Sequence, residues 1–313
     1  MSIVRLLVII FSILSIFSLL TIIIAFLFFT QRNNIKFELV FYLSISSLIA
    51  TITYIMNWKE NDEITNNNES TPNNTVICQI QGTCMTIAEI SLYFWTTIIG
   101  FDVYKKVVKN EDISHSQNKR RIIYLFIGYF IPIVFGVVCL VTGNINQSGN
   151  YCWIIGKSSL GSAMRFIAFI MGYLSNFLNL FFAFSIAKMF YFDGVAKELG
   201  HHLSKGVIWK MIRYPVIQII SYLPSTINRV IELFEKEGEE KHSKLFGDIG
   251  IIVMSLLGFI ITIAYGINTG TLLCIRNFFR GKRSNSIRIA NDLLIYDDIE
   301  NEENEEIEVE SKE

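Results

Sequence analysis

The sequence predicts an all-α membrane protein: a seven-transmembrane helix bundle with the N-terminus outside and the C-terminus in the cytosol. Three observations predict it. Hydrophobic residues make up 51 % of the 313 residues and charged residues only 18 %, against about 25 % charged in an average soluble protein. Seven apolar stretches reach the roughly 20 residues needed to cross a hydrocarbon core of about 30 Å. Basic residues and N-glycosylation acceptors fall on opposite sides of those stretches.

The stretches run over residues 4–29, 37–57, 79–102, 122–142, 161–187, 211–233 and 246–272. Each is read as a helix, because isolated strands would leave backbone groups unpaired in lipid. The third carries Glu89, and the sixth carries Arg213, Arg229 and Glu232. A six-span count is therefore the alternative. The first stretch reads as a span, because its apolar run continues for about 25 residues where a signal peptide has 7–15. No small-x-small cleavage site follows it before Gln31-Arg32.

Two indicators set the direction. In the seven-span arrangement the loops assigned to the cytosol hold 18 basic residues, among them Lys105, Lys106, Arg120, Arg121, Lys197, Lys205, Arg280 and Arg283. The outer side holds six: Arg5, Lys59, Lys157, Lys236, Lys241 and Lys244. That is the bias expected of cytoplasmic loops. The N-x-S/T acceptors Asn68, Asn73 and Asn146 all lie in loops assigned to the outside.

Residues 1–273 form one membrane domain in this reading, and 274–313 form a cytosolic tail, basic and then acidic. From Asp292 onward the tail holds eleven acidic residues and one lysine, a run that repels itself and is expected to be disordered. Residues 58–77 are polar and Asn-rich. No internal repeat is visible, which argues against inverted-repeat transporters. No phosphate-binding Gly loop, HExxH, GxSxG or paired CxxC occurs. The chain is therefore read as a non-enzyme, with no catalytic residue, cofactor, metal or nucleic-acid partner. His201-His202 lacks further ligands and reads as loop. The basic cytosolic residues also suit anionic membrane lipid.

Five cysteines stand at 78, 84, 139, 152 and 274. Cys78 opens the third span on its outer side and Cys152 lies in the second outer loop. Both face an oxidising compartment, where disulfides persist. A bridge between them would pin that loop over the bundle. Cys84 and Cys139 read as packed thiols; Cys274 is a palmitoylation candidate or a free thiol.

Seven spans, an outer N-terminus and a disulfide from third span to second outer loop make the plan of a G-protein-coupled receptor. Three wordings narrow it. Asn150-Tyr151-Cys152-Trp153-Ile154 resembles the N-x-C-W-I of the cyclic AMP receptors of social amoebae and their receptor-like relatives. Ile227-Asn228-Arg229-Val230-Ile231 is similar to the V/I-N-R-I/V that ends their sixth span. Cys78, then Tyr93-Phe94-Trp95-Thr96, then Tyr104-Lys105 has their third-span spacing. The resemblance covers about residues 75–270 and implies a cell-surface receptor for an extracellular small ligand, coupled to a heterotrimeric G protein. Departures are the acidic tail, whose Ser and Thr hydroxyls are Ser284, Ser286 and Ser311, and the Asn-rich first outer loop. They favour the receptor-like branch over a cyclic AMP receptor proper. The rhodopsin-type D/E-R-Y and N-P-x-x-Y are replaced by Gly100-Phe101-Asp102-Val103-Tyr104 and Tyr265-Gly266-Ile267-Asn268.

Ionisable groups inside the membrane call for a reason. Arg165 and Arg229 each lie about one turn below the outer end of a span. With Lys157 they would frame a basic pocket for an anionic ligand such as cyclic AMP, since Arg grips phosphate bidentately. The local alternatives are an Arg229–Glu232 ion pair and an Arg165 that snorkels to head groups. Glu89 stands eleven residues past Cys78, about 16 Å deeper along the helix. It is a switch or ligand contact, or polar glue between helices with Asn176, Asn179 or Asn228 as partners. Pro215 and Pro224 make the sixth span a candidate hinge, whose movement would expose a cytosolic site for a partner. The rival class is a transporter or channel, which needs ionisable residues along a whole path; Glu89 is the one mid-depth candidate. A retinal-binding pump is excluded, because Phe246–Leu272 holds no lysine.

Overall fold

The computed structural model describes residues 3–29, 35–56, 72–109, 117–148, 151–155, 158–192, 216–217, 219–228 and 241–268. The helices are α1 (Ile3–Phe29), α2 (Ile35–Ile55), α3 (Pro72–Val108), α4 (Gln117–Leu125), α5 (Ile131–Val141), α6 (Ser159–Phe192) and α7 (Lys241–Asn268). A hairpin of β1 (Ile145–Ser148) and β2 (Tyr151–Ile154) joins α5 to α6. Residues 219–228 are also helical. The expected tail lies outside the described residues.

Among the described residues, six segments are long and apolar enough to cross a membrane: Ile3–Leu27, Glu38–Ile55, Val76–Lys105, Asn118–Val141, Ser159–Met189 and Leu245–Ala264. They match six of the expected spans. The remaining one, 211–233, is described and helical only at 216–217 and 219–228. Helix α3 outruns its expected bounds of 79–102 at both ends. At 37 residues it is about 55 Å long, more than a bilayer core. Apolarity marks only the lipid-embedded length. Pro72 suits the first helical position, where no N–H is needed, and the polar ends keep their helical hydrogen bonds in water.

Burial is inverted relative to a soluble bundle, as a lipid solvent requires. On α1, Ser12 and Ser15 are buried while Ile10, Ile13, Leu14 and Phe17 are exposed. On α6 the inward positions 164, 168, 172, 175, 179, 182 and 186 step by three and four, and Phe166, Phe177 and Phe184 face outward. Small and polar residues let membrane helices approach and bond. The Ser15 hydroxyl donates to the Ser255 carbonyl (2.6 Å) and accepts from the Phe259 N–H (3.1 Å), which clips α1 to α7.

Helix α3 is the axis of the bundle, packed against α2, α5, α6 and the hairpin. Fully buried Trp95 stacks on Tyr42 (centroids 5.0 Å) and meets Tyr129 edge-on (5.1 Å). Between α4 and α5 the chain makes one π turn, Phe126–Phe130, with the Ile131 N–H bonded to the Phe126 carbonyl. Pro132 supplies the cause. It has no N–H for the Gly128 carbonyl and its ring crowds that oxygen, so the ladder widens just before it. The widened turn sets Gly128 on the Trp95 indole, where a Cβ would stand 2.5 Å from the ring.

The hairpin corrects the all-α expectation. Its register pairs Ile145 with Ile154 and Ser148 with Tyr151. The two residues between the strands, Gly149 and Asn150, lie outside the described residues. Ile145, Cys152, Trp153 and Ile154 are buried, with Asn146 and Gln147 exposed. Four residues is the shortest run that alternation can identify, and neither Ile-Asn-Gln-Ser nor Tyr-Cys-Trp-Ile alternates.

Candidate functional site

The hairpin is fixed to the bundle by a covalent bond and a buried side chain. Cys78 and Cys152 form a disulfide with Cα atoms 5.3 Å apart. About one turn further along α3, Gln81 is almost fully buried. Its Oε1 accepts from the Cys152 N–H (3.2 Å), and its Nε2 donates to the carbonyls of Thr53 (2.9 Å) and Met56 (2.8 Å). These carbonyls lie at the end of α2, where intrahelical partners run out. One side chain thus caps α2 and holds β2. Gly82 lets the hairpin lie flat, since a Cβ there would run into Ile145 Cγ2 and stand 3.0 Å from the Cys152 carbonyl oxygen.

Beneath β2 is a cavity of about 90 Å³. Helix α3 lines it with Met85, Thr86, Glu89, Ile90 and Tyr93, and α6 with Ala168, Phe169, Gly172, Tyr173 and Asn176. Both sets follow the same one-face spacing of i, i+1, i+4, i+5 and i+8. Tyr54 of α2, Trp153 of β2, four residues of 219–228 and three of α7 complete the wall. Glu89 accepts a hydrogen bond from the Tyr54 hydroxyl (2.9 Å). Tyr222 packs against Tyr93, with centroids 4.5 Å apart. The Thr86 Oγ1, Asn176 Oδ1 and Tyr222 hydroxyl are buried and have no hydrogen-bond partner among the described residues.

The opposite end of α3 carries a second polar group. Asp102, buried, accepts from the Tyr124 hydroxyl (3.1 Å), and Arg120 lies 3.9 Å away. Arg121 binds Glu38 with both Nε (2.6 Å) and a terminal nitrogen (2.7 Å). Helices α2, α3 and α4 are therefore cross-linked by charge at the end remote from the hairpin.

The residues singled out by sequence fall unevenly on this geometry. Glu89 lines the cavity. Arg165 lies beside it, its guanidinium 5.7 Å from the centroids of both Trp153 and Phe169, and Trp153 and Phe169 line the cavity themselves. Arg229, Lys157, Pro215 and Asn68 lie outside the described residues. Pro224 sits half-buried in the helical stretch 219–228, and Asn146 is exposed on β1. Asn73 is in the first turn of α3, its side chain outside the described set. Sequence reasoning misses Tyr54, Gln81, Glu38 and the role of Asp102. The available signal is matched charge at one depth: Glu38 and Asp102 near one membrane face, Arg120-Arg121 across from them.

Comparison with known proteins agrees with this architecture. The profile described as "7 transmembrane receptor (Secretin family)" matches residues 1–261. Cyclic AMP receptor-like protein A of Dictyostelium discoideum is 24 % identical over 269 residues, 86 % of this chain and 65 % of that protein. G-protein coupled receptor 1 of Arabidopsis thaliana is 24 % identical over 258 residues, 79 % of this chain and 73 % of its own length. Cyclic AMP receptor 4 of Dictyostelium discoideum is 20 % identical over 156 residues, 49 % of this chain and 34 % of that receptor. The chain thus spans just under two-thirds of the first relative's length and about a third of the last. Since the profile runs unbroken from α1 into the last turns of α7, this multi-pass membrane protein belongs to the seven-transmembrane receptor (secretin) family.

Proposed function

We propose that the protein is a seven-span receptor of the plasma membrane, with its N-terminus and hairpin outside, its tail cytosolic, and its ligand in the cavity beneath β2. The observation that carries the reading is the cavity itself. Five helical segments and β2 meet there, so a bound ligand touches all six at once. A ligand shifts an equilibrium only by its differential affinity for the two states, and a site shared by several helices supplies that difference. The helical stretch 219–228, with Pro224 and the preceding Pro215, is the element proposed to swing. The charged cluster of Glu38, Asp102, Arg120 and Arg121 closes the face proposed to receive a heterotrimeric G protein.

The direction rests on charge bias and on the acceptors Asn68, Asn73 and Asn146, proposed to be glycosylated. Glycosidase treatment should shift the mobility of the protein from cells, and the triple Asn→Gln variant should already run at the shifted position. An unshifted wild-type protein would remove that support. For function, cells expressing the protein are screened with nucleotides and small metabolites, read out as G-protein dissociation. A response that disappears with Thr86→Phe, which fills the cavity, supports the reading. A response that survives Thr86→Phe at full potency would place the ligand elsewhere.

One observation favours a second reading of the ligand. The Arg165 guanidinium stands beside Trp153, so Arg165 with Lys157 and Arg229 is retained as a basic rim for an anion.

A further inference from the structure

Helix α4, the π turn and α5 form one span, Asn118–Val141, and it keeps a single face on the bundle for longer than an α-helix can. Between residues 121 and 138 the buried positions are Tyr124, Gly128, Pro132 and Gly136, each four after the last. An α-helix turns about 100° per residue, so each step of four overshoots a full turn by about 40°. Three such steps would carry Gly136 about 120° round from Tyr124. A π turn takes one residue more than an α turn, and that residue removes about 100° of the drift. Tyr124 therefore reaches Asp102 (3.1 Å), Gly128 lies on Trp95 and Gly136 lies on Ile87, all three on α3.

The turn joins two registers that are held by different means. On the α5 side the hold is packed and covalent. A Cβ at Gly136 would run into Ile87. Fully buried Cys139 follows, and its carbonyl accepts from the Asn144 N–H (3.1 Å). The hairpin beyond is bonded to α3 through Cys78–Cys152. On the α4 side the hold is polar. It consists of the Tyr124–Asp102 hydrogen bond, Arg120 at 3.9 Å from Asp102, and the Arg121–Glu38 pair. The Arg121 side chain is 30 % exposed, so water competes for that pair.

An α ladder would move the Ile131 N–H from the Phe126 carbonyl to that of Ile127. With α5 fixed, α4 must then turn by about 100°. Tyr124 and Arg121 ride on the same helix, so they leave Asp102 and Glu38 in one step. We propose that the span Asn118–Val141 has two registers, and that π-to-α conversion at Phe126–Phe130 is the switch that frees Glu38 and Asp102 at the end remote from the hairpin. The states are discrete, because the amide bonds either the i−5 or the i−4 carbonyl. In the receptor reading this release uncovers the face proposed for a partner; the switch itself needs neither ligand nor partner.

The test is a distance measurement on the full-length protein in lipid nanodiscs. Nitroxide labels are carried by keto amino acids substituted for Lys109, just past α3, and Lys119 on α4, both exposed. Every cysteine stays in place. A turn of about 100° displaces a side chain by about 5–8 Å on a helix of roughly 10–12 Å diameter. The wild type should show one dominant distance. Glu38→Gln removes the Arg121 partner and should raise a second, discrete distance at least about tenfold in population. Deleting Phe130, an exposed residue of the π turn, brings both faces into phase on an α ladder. In the Glu38→Gln background that deletion should abolish the second distance. Should the deletion variant fail to fold, Pro132→Ala replaces it: it returns a donor to the Gly128 carbonyl and should give the same second distance as Glu38→Gln. No second distance in Glu38→Gln, or a different one or none in Pro132→Ala, overturns the switch. A second distance that survives the deletion, or simple broadening of the first, overturns it in favour of fraying of α4.

Discussion

The hydroxyl of Tyr54 donates a 2.9 Å hydrogen bond to Oε1 of Glu89, joining α2 to α3 near the middle of the bundle. The sequence points to Asn176, Asn179 or Asn228 as partners for Glu89. Tyr54 is a partner that the sequence does not signal, because it belongs to a stretch that reads as apolar span. Tyrosine has an apolar body and a polar tip, so it fits a hydrophobic stretch and still supplies a donor. Tyr54→Phe keeps the ring and removes the bond. It should lower stability by about 1 kcal/mol, read as a lower unfolding temperature in detergent. Tyr54→Phe in a Glu89→Gln background should lose less than it does alone, since the charged acceptor is already gone.

Gln81 joins three backbone groups of two elements, and glutamate cannot replace it. Its amide donates twice to α2 and accepts once from β2, whereas a carboxylate only accepts. Gln81→Glu should therefore leave the Thr53 and Met56 carbonyls without their donor, at about 1–3 kcal/mol for the buried groups. In Gln81→Leu, which also removes the acceptor of the Cys152 N–H, hydrogen exchange at that amide should accelerate, with the disulfide to Cys78 still formed. An unchanged exchange rate would show that the disulfide alone holds β2. Cys152→Ser should free the hairpin further and reduce surface display.

How much is legible in the sequence depends on what each feature asks of the chain. Apolar length finds seven stretches, six of which are described as helices long and apolar enough to cross a membrane, because one helix must cross the core by itself. It misses the extensions of α3 into water, because hydrophobicity says nothing about where a helix stops outside lipid. Cys78–Cys152 is legible as two thiols on one side of the membrane. Gln81 is not, since a lone glutamine near a helix end carries no signal until the carbonyls it caps are placed. Glu89 stands out as a charge at depth, but Tyr54 and Tyr222, which line the same cavity, come from separate helices. Which residues face one cavity depends on helix rotation, and periodicity fixes rotation only relative to the helix's own apolar face.

Glu38 and Arg121, 83 positions apart, form a two-pronged pair in which Glu38 is nearly buried and Arg121 partly exposed. Planar two-bond geometry gives such a pair both strength and direction, so Lys at 121 is a poor substitute. Glu38→Gln and Arg121→Gln should each destabilise the protein, and together by less than their sum. The coupling expected in a double-mutant cycle of unfolding temperatures is about 1–3 kcal/mol. A coupling near zero would reduce the pair to a surface contact. Arg121→Lys should recover less than half of the loss.

The contact of Gly128 with Trp95 ties the π turn to the core, and it can be tested from both sides. Gly128→Val places carbon where the indole lies, 2.5 Å from the ideal Cβ. Trp95 is fully buried and stacked on Tyr42, so it has nowhere to move. Overpacking of this kind should destabilise by about 1–3 kcal/mol or more. Trp95→Leu alone opens a cavity and should be destabilising by about 2–5 kcal/mol. Combining the two puts the valine methyls into that space, and the double variant should be more stable than the sum of the singles predicts. If Pro132 is what opens the π turn, Pro132→Ala should restore an ordinary ladder, turn Gly128 away from Trp95 and make Gly128→Val harmless. Full sensitivity to Gly128→Val in the Pro132→Ala background would mean that Trp95 packing, not the proline, holds the turn open.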